Sequence, residues 1–128
     1  MKQFTKAQTA KLKANWEAAR AVIKTTSRTP DRWPVVKLFD PAGAATWLIA
    51  EADPDTDYAF GLCDLGMGLP EIGYISLDEL RRFRGRFGLG IERDRHWRAE
   101  GPLSVYLAAA REAGHIVDLP PRMNLNAD

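Results

Sequence analysis

Cysteine is almost absent from the sequence, since Cys63 is the one thiol among 128 residues. A single cysteine excludes an internal disulfide and a zinc site built from several cysteines, and it is typical of a reducing compartment. Cys63 follows Phe60 and Leu62 in an apolar stretch, and no histidine lies near it in the sequence. We therefore interpret it as a buried, inert thiol rather than a nucleophile.

Long apolar runs are also missing. The most apolar stretch, residues 41–50, is far shorter than the run of about 20 residues that a membrane-spanning helix needs. The basic N-terminal residues are not followed by the apolar run of a secretion signal. We therefore expect a cytoplasmic protein with no membrane partner.

Basic residues are absent from the middle of the chain. Residues 1–38 contain nine basic residues (Lys or Arg) and two acidic residues (Asp or Glu). Residues 39–80 contain no basic and nine acidic residues, and residues 81–128 contain nine basic and six acidic residues. The three segments carry net charges of +7, −9 and +3, which the overall value of +1 conceals. Because the charges are sorted in this way, the overall net charge is a poor guide to partners.

The pattern of apolar residues predicts an N-terminal helix followed by short strands. Thr5 begins a capping box, and apolar residues then recur at helical spacing, which predicts a helix over about residues 6–23. A connector rich in proline and turn-forming residues follows over residues 25–34. Four strands, separated by turns rich in Gly, Pro and Asp, are predicted at residues 35–39, 46–52, 58–64 and 72–76.

Two further helices follow the predicted strands. Ser76 begins a second capping box, which predicts a short helix to about Phe83. Three glycines make residues 84–91 an irregular loop, and a final helix is predicted over about residues 102–113, ended by Gly114. The predicted fold class is α+β, an antiparallel meander of about four strands packed with an N-terminal, a short middle and a C-terminal helix.

The length of 128 residues and the hydrophobic content of 45% are typical of one globular domain. We therefore predict a single domain over residues 1–128. Its predicted parts are an N-terminal helix and linker (1–34), a core (35–98), a C-terminal helix (99–118) and a loose tail (119–128).

The acidic middle contains an Asp-x-Asp-x-Asp run at Asp53, Asp55 and Asp57. The run is similar to the start of a calcium-binding loop, but Pro54 interrupts it, and its sixth and twelfth positions lack the required glycine and glutamate. Three interpretations remain: a solvated turn, a magnesium site, or a surface for a basic partner. Because charges in turns are usually solvated, we favour the first and predict no metal and no cofactor.

Arginines alternate with aromatic residues between Arg81 and Arg98. This combination is typical of nucleic-acid binding, in which arginines contact phosphates and aromatic rings stack on bases. Acidic residues dilute the positive charge, however, and Phe83 and Phe87 can equally be core residues. We therefore favour a solvated or internally paired face, with nucleic-acid contact as the alternative.

Several short motifs occur in the order found in one family. They are Lys37-Leu38-Phe39-Asp40-Pro41, Gly43 with Thr46-Trp47, Ala59-Phe60-Gly61 with Asp64-Leu65, the run Glu71 to Leu80, and the run Arg84 to Asp94. On these motifs, residues 35–98 resemble the domain of unknown function numbered twenty-nine fifty-eight. The first and last predicted helices extend beyond the motifs, and Gly90 stands where family members often have proline. The resemblance implies an accessory protein of a plasmid, an integrative element or a phage, and it supplies no catalytic residues.

The motifs place several polar residues at or beside a sheet edge and a glycine loop. We identify them as candidate binding residues: Asp64, Glu71, Tyr74, Arg84, Arg86, Glu92, Arg93 and Asp94. The competing interpretation, which we favour, is a network that pins the loop to the sheet, with an arginine, Arg84 or Arg93, paired with a nearby carboxylate. The carboxylates available to it are Glu71, Glu92 and Asp94.

No assembled catalytic motif is visible, so an enzyme is not favoured. The leading hypothesis is a non-enzymatic accessory binding protein of a mobile genetic element, which contacts a host or element protein through charged surfaces. One alternative is a nucleic-acid-binding protein that uses the Arg81 to Arg98 region. Another is a small metal-dependent hydrolase or nuclease that uses Asp64, Glu71 and neighbouring acids.

Overall fold

A computed structural model of the chain describes residues 3–121, so most of the predicted tail at 119–128 lies outside the described residues. The predicted α+β fold is confirmed. The helices and strands are α1 (Lys6–Thr26), β1 (Val36–Phe39), β2 (Thr46–Ala52), β3 (Tyr58–Asp64), β4 (Glu71–Ser76), α2 (Leu77–Arg82), β5 (Glu92–Arg93) and α3 (Leu103–Ala113). Among these residues no helix has the length and apolar character needed to cross a membrane.

Helix α1 begins at the predicted capping box. The Thr5 amide donates to Gln8 Oε1 at 2.9 Å, and the Gln8 amide donates to Thr5 Oγ1 at 3.1 Å, which satisfies two amides that the helix itself leaves free. The helix is three residues longer than predicted. Thr25 and Thr26 continue it because their hydroxyls donate to carbonyls of the preceding turn, and it ends at Ser27 in the left-handed conformation.

The strands form one antiparallel sheet in the order β4-β3-β2-β1-β5. The four predicted strands are present, and β5 is an additional strand within the region that follows the predicted glycine loop. It pairs with β1 through only two residues, Glu92 and Arg93. Two residues are too few to give the alternating pattern by which a strand is recognised in a sequence.

Apolar side chains from the sheet form two clusters with different helices. One cluster joins Val36, Leu38, Trp47 and Ile49 to Leu77 and Leu80 of α2. The other joins Leu48, Phe60 and Leu62 to Leu103, Tyr106 and Ala110 of α3. Helix α1 lies along β2 and adds Leu12 to the first cluster and Trp16 to the second. The alternation of β2 and β3 therefore supplies apolar residues to both clusters, as expected of strands covered on both faces.

The paired glycines Gly61 and Gly73 offer a test of how closely the central strands approach. A Cβ atom on Gly61 would lie 2.0 Å from the Leu48 carbonyl oxygen, whereas one on Gly73 would meet nothing within 4 Å. We expect Gly61→Ala to lower the free energy of unfolding by about 1–3 kcal/mol. The added methyl group would collide with the Leu48 backbone, which cannot move aside as a flexible side chain can. Gly73→Ala is the matched control and should be neutral or slightly stabilising. Urea unfolding measures both, and equal stabilities would contradict the close approach.

Candidate functional site

The carboxylates proposed for a metal do not converge. Asp64 is buried, and its two oxygens accept backbone amides, Gly66 at 2.8 Å and Ile116 at 2.9 Å. Glu71 pairs across the sheet with Cys63, the neighbour of Asp64, so its side chain projects from the opposite face. Within residues 3–121 no three His, Cys, Asp or Glu residues are grouped so as to hold a metal ion. The geometry therefore does not support the metal-dependent hydrolase hypothesis.

The favoured network of arginine and carboxylate side chains around the glycine loop is wrong. Arg84 Nη1 donates to the carbonyls of Arg81 at 3.0 Å and Phe83 at 2.6 Å. Arg93 Nη1 donates to the Gln3 carbonyl at 3.3 Å. Over the described ranges neither arginine forms an ion pair, and the exposed carboxylate of Glu92 and the half-buried Asp94 have none either. The two arginines therefore bond to backbone carbonyls instead of the expected carboxylates. Residue types alone do not reveal this, because every residue has a backbone carbonyl.

The acidic turn between β2 and β3 is largely engaged in local contacts. Asp53 accepts the Asp55 amide and the Thr56 hydroxyl, both at 2.9 Å, which is the bonding expected of an acid that closes its own turn. Asp57 accepts the Asp78 amide at the start of α2 and lies 2.5 Å from Arg81 Nη2. Asp55 is exposed and its carboxylate has no bonding partner in the described residues. The run is therefore mainly structural, with Asp55 as its free charge.

Two of the predicted site residues line surface hollows: Asp94 lines one beside Lys37 and Asp40, and Tyr74 lines a groove that also contains exposed aromatic side chains. The groove lies between α1 and the β2–β3 turn and consists of two adjoining hollows that share Trp16 and Asp53. One hollow is also lined by Lys13, Glu17, Arg20, Pro54 and Asp55, and the other by Thr56, Tyr58 and Tyr74. Tyr58 and Tyr74 expose 53% and 62% of their surface, so two large aromatic side chains face solvent side by side with Trp16. Exposed aromatics grouped in one concave surface are typical of a binding site.

Arg20 holds the aromatic side chains of the groove in place. Its guanidinium carbon lies 4.1 Å from the centre of the Trp16 ring, and its Nη1 donates to the Tyr74 hydroxyl at 3.2 Å. The Trp16 and Tyr74 rings meet edge to face, with centres 6.2 Å apart. A cation over an aromatic face and an edge-to-face ring pair are both favourable contacts, so the wall of the groove is ordered before any partner binds.

Behind this wall lies Glu51, which is completely buried. Its Oε1 lies 3.5 Å from Arg20 Nη2, and its Oε2 has no hydrogen-bond partner among the residues the structure describes. Burial raises the pKa of Glu51, while the positive charges of Arg20 and Arg32 oppose the rise. A buried carboxylate with a perturbed pKa beside a groove is a common feature of functional sites, although ion pairs that hold a fold share it.

Sequence reasoning missed Arg20 and Glu51, whereas it included Tyr74 among the candidate binding residues. In the sequence Glu51 is one acid of an acidic segment, and Arg20 is one base on the solvated face of a helix. What distinguishes Glu51 from the other acids is its position in the paired sheet. A bulge shifts the register of β2 between Ile49 and Glu51 and places Glu51 opposite Phe60.

Cys63 is half-buried rather than buried, and desolvation raises its pKa, which disfavours the nucleophilic thiolate.

Asp64 is expected to act in folding rather than in binding. Asp64→Asn replaces one acceptor oxygen by an amide group that cannot accept the second backbone amide, so a buried N–H loses its partner. We expect the free energy of unfolding to fall by about 1–3 kcal/mol. Glu71→Gln, at an exposed position, is the control and should change it by less than about 0.5 kcal/mol. Chemical denaturation of both variants makes the comparison, and an unaffected Asp64→Asn protein would show that these bonds do not support the fold.

The raised pKa of Glu51 predicts a pH-dependent stability difference. The folded state binds the proton of Glu51 more tightly than the unfolded state does, so this group favours folding fully below its ordinary pKa near 4.5 and progressively loses that contribution as the pH rises through its raised pKa. Glu51→Gln lacks this titration. We therefore expect the wild-type chain to lose stability relative to Glu51→Gln between pH 4.5 and pH 7.5, measured by urea unfolding at both values. A difference that is constant with pH would contradict the raised pKa.

Comparison with known proteins gives a family but no described relative. Neither the comparison with curated proteins nor that with solved structures found a match. A family model, described as a protein of unknown function, matches residues 3–117. The match includes α1 and α3, which lie outside the motifs at residues 35–98, so the resemblance extends further along the chain than those motifs indicated. The chain belongs to this family of proteins of unknown function, DUF2958.

Proposed function

We propose that this chain is a non-enzymatic accessory protein of a mobile genetic element that binds a host or element protein through the groove between α1 and the β2–β3 turn. The observation that carries the proposal is the exposure of Tyr58 and Tyr74 beside Trp16 and Arg20. Tyrosine, tryptophan and arginine are the residues that most often dominate the binding energy of protein interfaces.

The charges around the groove favour a protein over a nucleic acid as its partner. Lys13 and Arg20 lie on its α1 side, together with Glu17, and Asp53 and Asp55 lie on the turn. A polyanion would be repelled by these acids, whereas a protein surface can match charges of both signs. The polar rim around aromatic side chains is the usual arrangement of a protein interface.

Binding, rather than catalysis, fits the composition of this groove. Its described lining offers neither histidine nor cysteine, and the carboxylate beside it whose pKa is raised, Glu51, is buried and paired with Arg20. A general base must come within about 3 Å of the proton that it removes, which a fully buried carboxylate cannot do for a ligand in an open groove. The mobile-element setting rests on the family resemblance, and a cytoplasmic location is part of the same proposal.

A capture experiment tests the groove. Tagged chain is incubated with lysate of the cells that carry it, and captured proteins are identified, purified and titrated calorimetrically. We expect Tyr74→Ala to weaken binding of the identified protein by about 30-fold or more, as removal of a central aromatic residue does. Asp55→Lys should weaken this binding by a smaller factor, because an exposed rim charge contributes less.

Two variants outside the groove serve as controls. Met67→Ala removes an exposed apolar side chain from the β3–β4 turn, and Arg111→Glu reverses an exposed charge on α3. Both should bind as the wild-type chain does. If Tyr74→Ala binds with wild-type affinity, the groove is not the interface. If none of the captured proteins binds the chain when both are purified, protein binding itself is contradicted.

A further inference from the structure

Phe87 presents its ring to solvent from the loop between α2 and β5. The side chain exposes 84% of its surface, the largest exposed fraction among the large hydrophobic residues that the structure describes. Phe83, four residues earlier, instead packs edge to face against Trp47, with ring centres 6.1 Å apart. The core therefore uses one of the two phenylalanines, and it leaves the other free to contact a ligand.

The backbone holds Phe87 in a conformation that a bulky side chain disfavours. Its φ is 62° and its ψ is 18°, in the left-handed region that glycine adopts without steric cost. The loop is closed by its own backbone, since the Gly85 amide donates to the Leu89 carbonyl at 2.8 Å and the Gly88 amide to the Gly85 carbonyl at 3.1 Å. An exposed aromatic residue at a strained backbone position points to a role for the ring itself.

The loop's own residues are positively charged, and the acid beside them is Asp40, whose carboxylate lies against Gly85 and accepts the Ala42 amide. Residues 80–91 contain four arginines and no acid. Arg81 and Arg82 pair with carboxylates of the acidic middle, whereas Arg84 and Arg86 are exposed and have no carboxylate partner in the described part of the chain. Two carbonyls hold Arg84 Nη1 at 3.0 and 2.6 Å, which fixes its guanidinium beside the loop. The loop thus carries one fixed and one free guanidinium group within three residues of Phe87.

We infer that the loop at residues 84–89 binds single-stranded nucleic acid, with a base stacked on Phe87 and phosphates contacted by Arg84 and Arg86. Aromatic rings accept any base, and guanidinium groups neutralise the backbone, so this pairing gives binding without sequence preference. Unpaired arginines would cost free energy beneath an apolar protein partner, whereas phosphates satisfy them. Of the predicted Arg81 to Arg98 region, only this loop combines an exposed ring with unpaired cations.

Fluorescence anisotropy with labelled (dT)20 and U20 oligonucleotides tests the inference. We expect saturable binding that weakens about sevenfold between 50 and 200 mM salt, because two phosphate contacts on a single strand give a logarithmic slope of about −1.4. Phe87→Ala should weaken binding by about 5- to 150-fold, the range that loss of one stacked base covers. Arg84→Ala and Arg86→Ala should each flatten the salt dependence by about 0.7 in slope.

Further variants separate binding from folding. Phe87→Gly removes the ring and suits the left-handed backbone, so it should melt no lower than the wild-type chain and still lose the oligonucleotide. Met67→Ala and Arg111→Ala are matched exposed controls and should keep wild-type affinity. The inference is overturned if neither oligonucleotide binds at 50 mM salt, if Phe87→Ala binds as tightly as the wild-type chain, or if the loop binds only vesicles of anionic phospholipid.

Discussion

The contact that joins the fold to the groove is the pair of Arg20 and Glu51. A fully buried carboxylate is unfavourable unless a positive charge lies close to it, and the bulge in β2 places Glu51 under α1, where Arg20 supplies that charge. The pair fixes the helix against the sheet at one point. Because Arg20 also lies over Trp16 and bonds to Tyr74, the same guanidinium positions the aromatic wall of the groove.

The separation of charge along the sequence corresponds in part to contacts inside the molecule. Arg20 from the basic N-terminal segment pairs with Glu51, and Arg81 and Arg82 from the basic C-terminal segment pair with Asp57 and Asp78. The acidic middle of the chain is therefore partly neutralised by the helices that pack against it. Such pairs contribute little each where they are exposed. The pairs of Asp78 lie within α2, so of these contacts Arg20–Glu51 and Arg81–Asp57 are the ones that join a helix to the acidic strands and their turn.

Local signals predicted most of the fold. The capping box at Thr5 and the turn residues between strands describe interactions within a few residues, and both survive in the folded chain. Strand β5 was missed because it is defined by its pairing with Leu38 and Phe39, which are more than fifty residues away in the sequence. Pairing at that distance leaves no local pattern to read.

The candidate sites were harder to predict than the fold, for a related reason. Phe83 and Phe87 have the same side chain and similar neighbours in the sequence, yet one packs on Trp47 and the other faces solvent. Asp64 and Asp55 are both acids in loops or at strand ends, yet one is buried with both oxygens bonded and the other is exposed. Burial of a polar or aromatic side chain depends on the tertiary contacts, and composition alone cannot assign it.

The groove and the Phe87 loop lie at opposite ends of the sheet. The groove adjoins the C-terminal end of β2. The loop packs near Asp40, just after β1, and because β1 and β2 are antiparallel, Asp40 lies beside the N-terminal end of β2. The seven residues of β2 between these two ends span roughly 20 Å, six steps of about 3.3 Å each. The two proposed surfaces use different residues, so the proposed protein binding at the groove and the proposed nucleic-acid binding at the loop can be tested with separate variants.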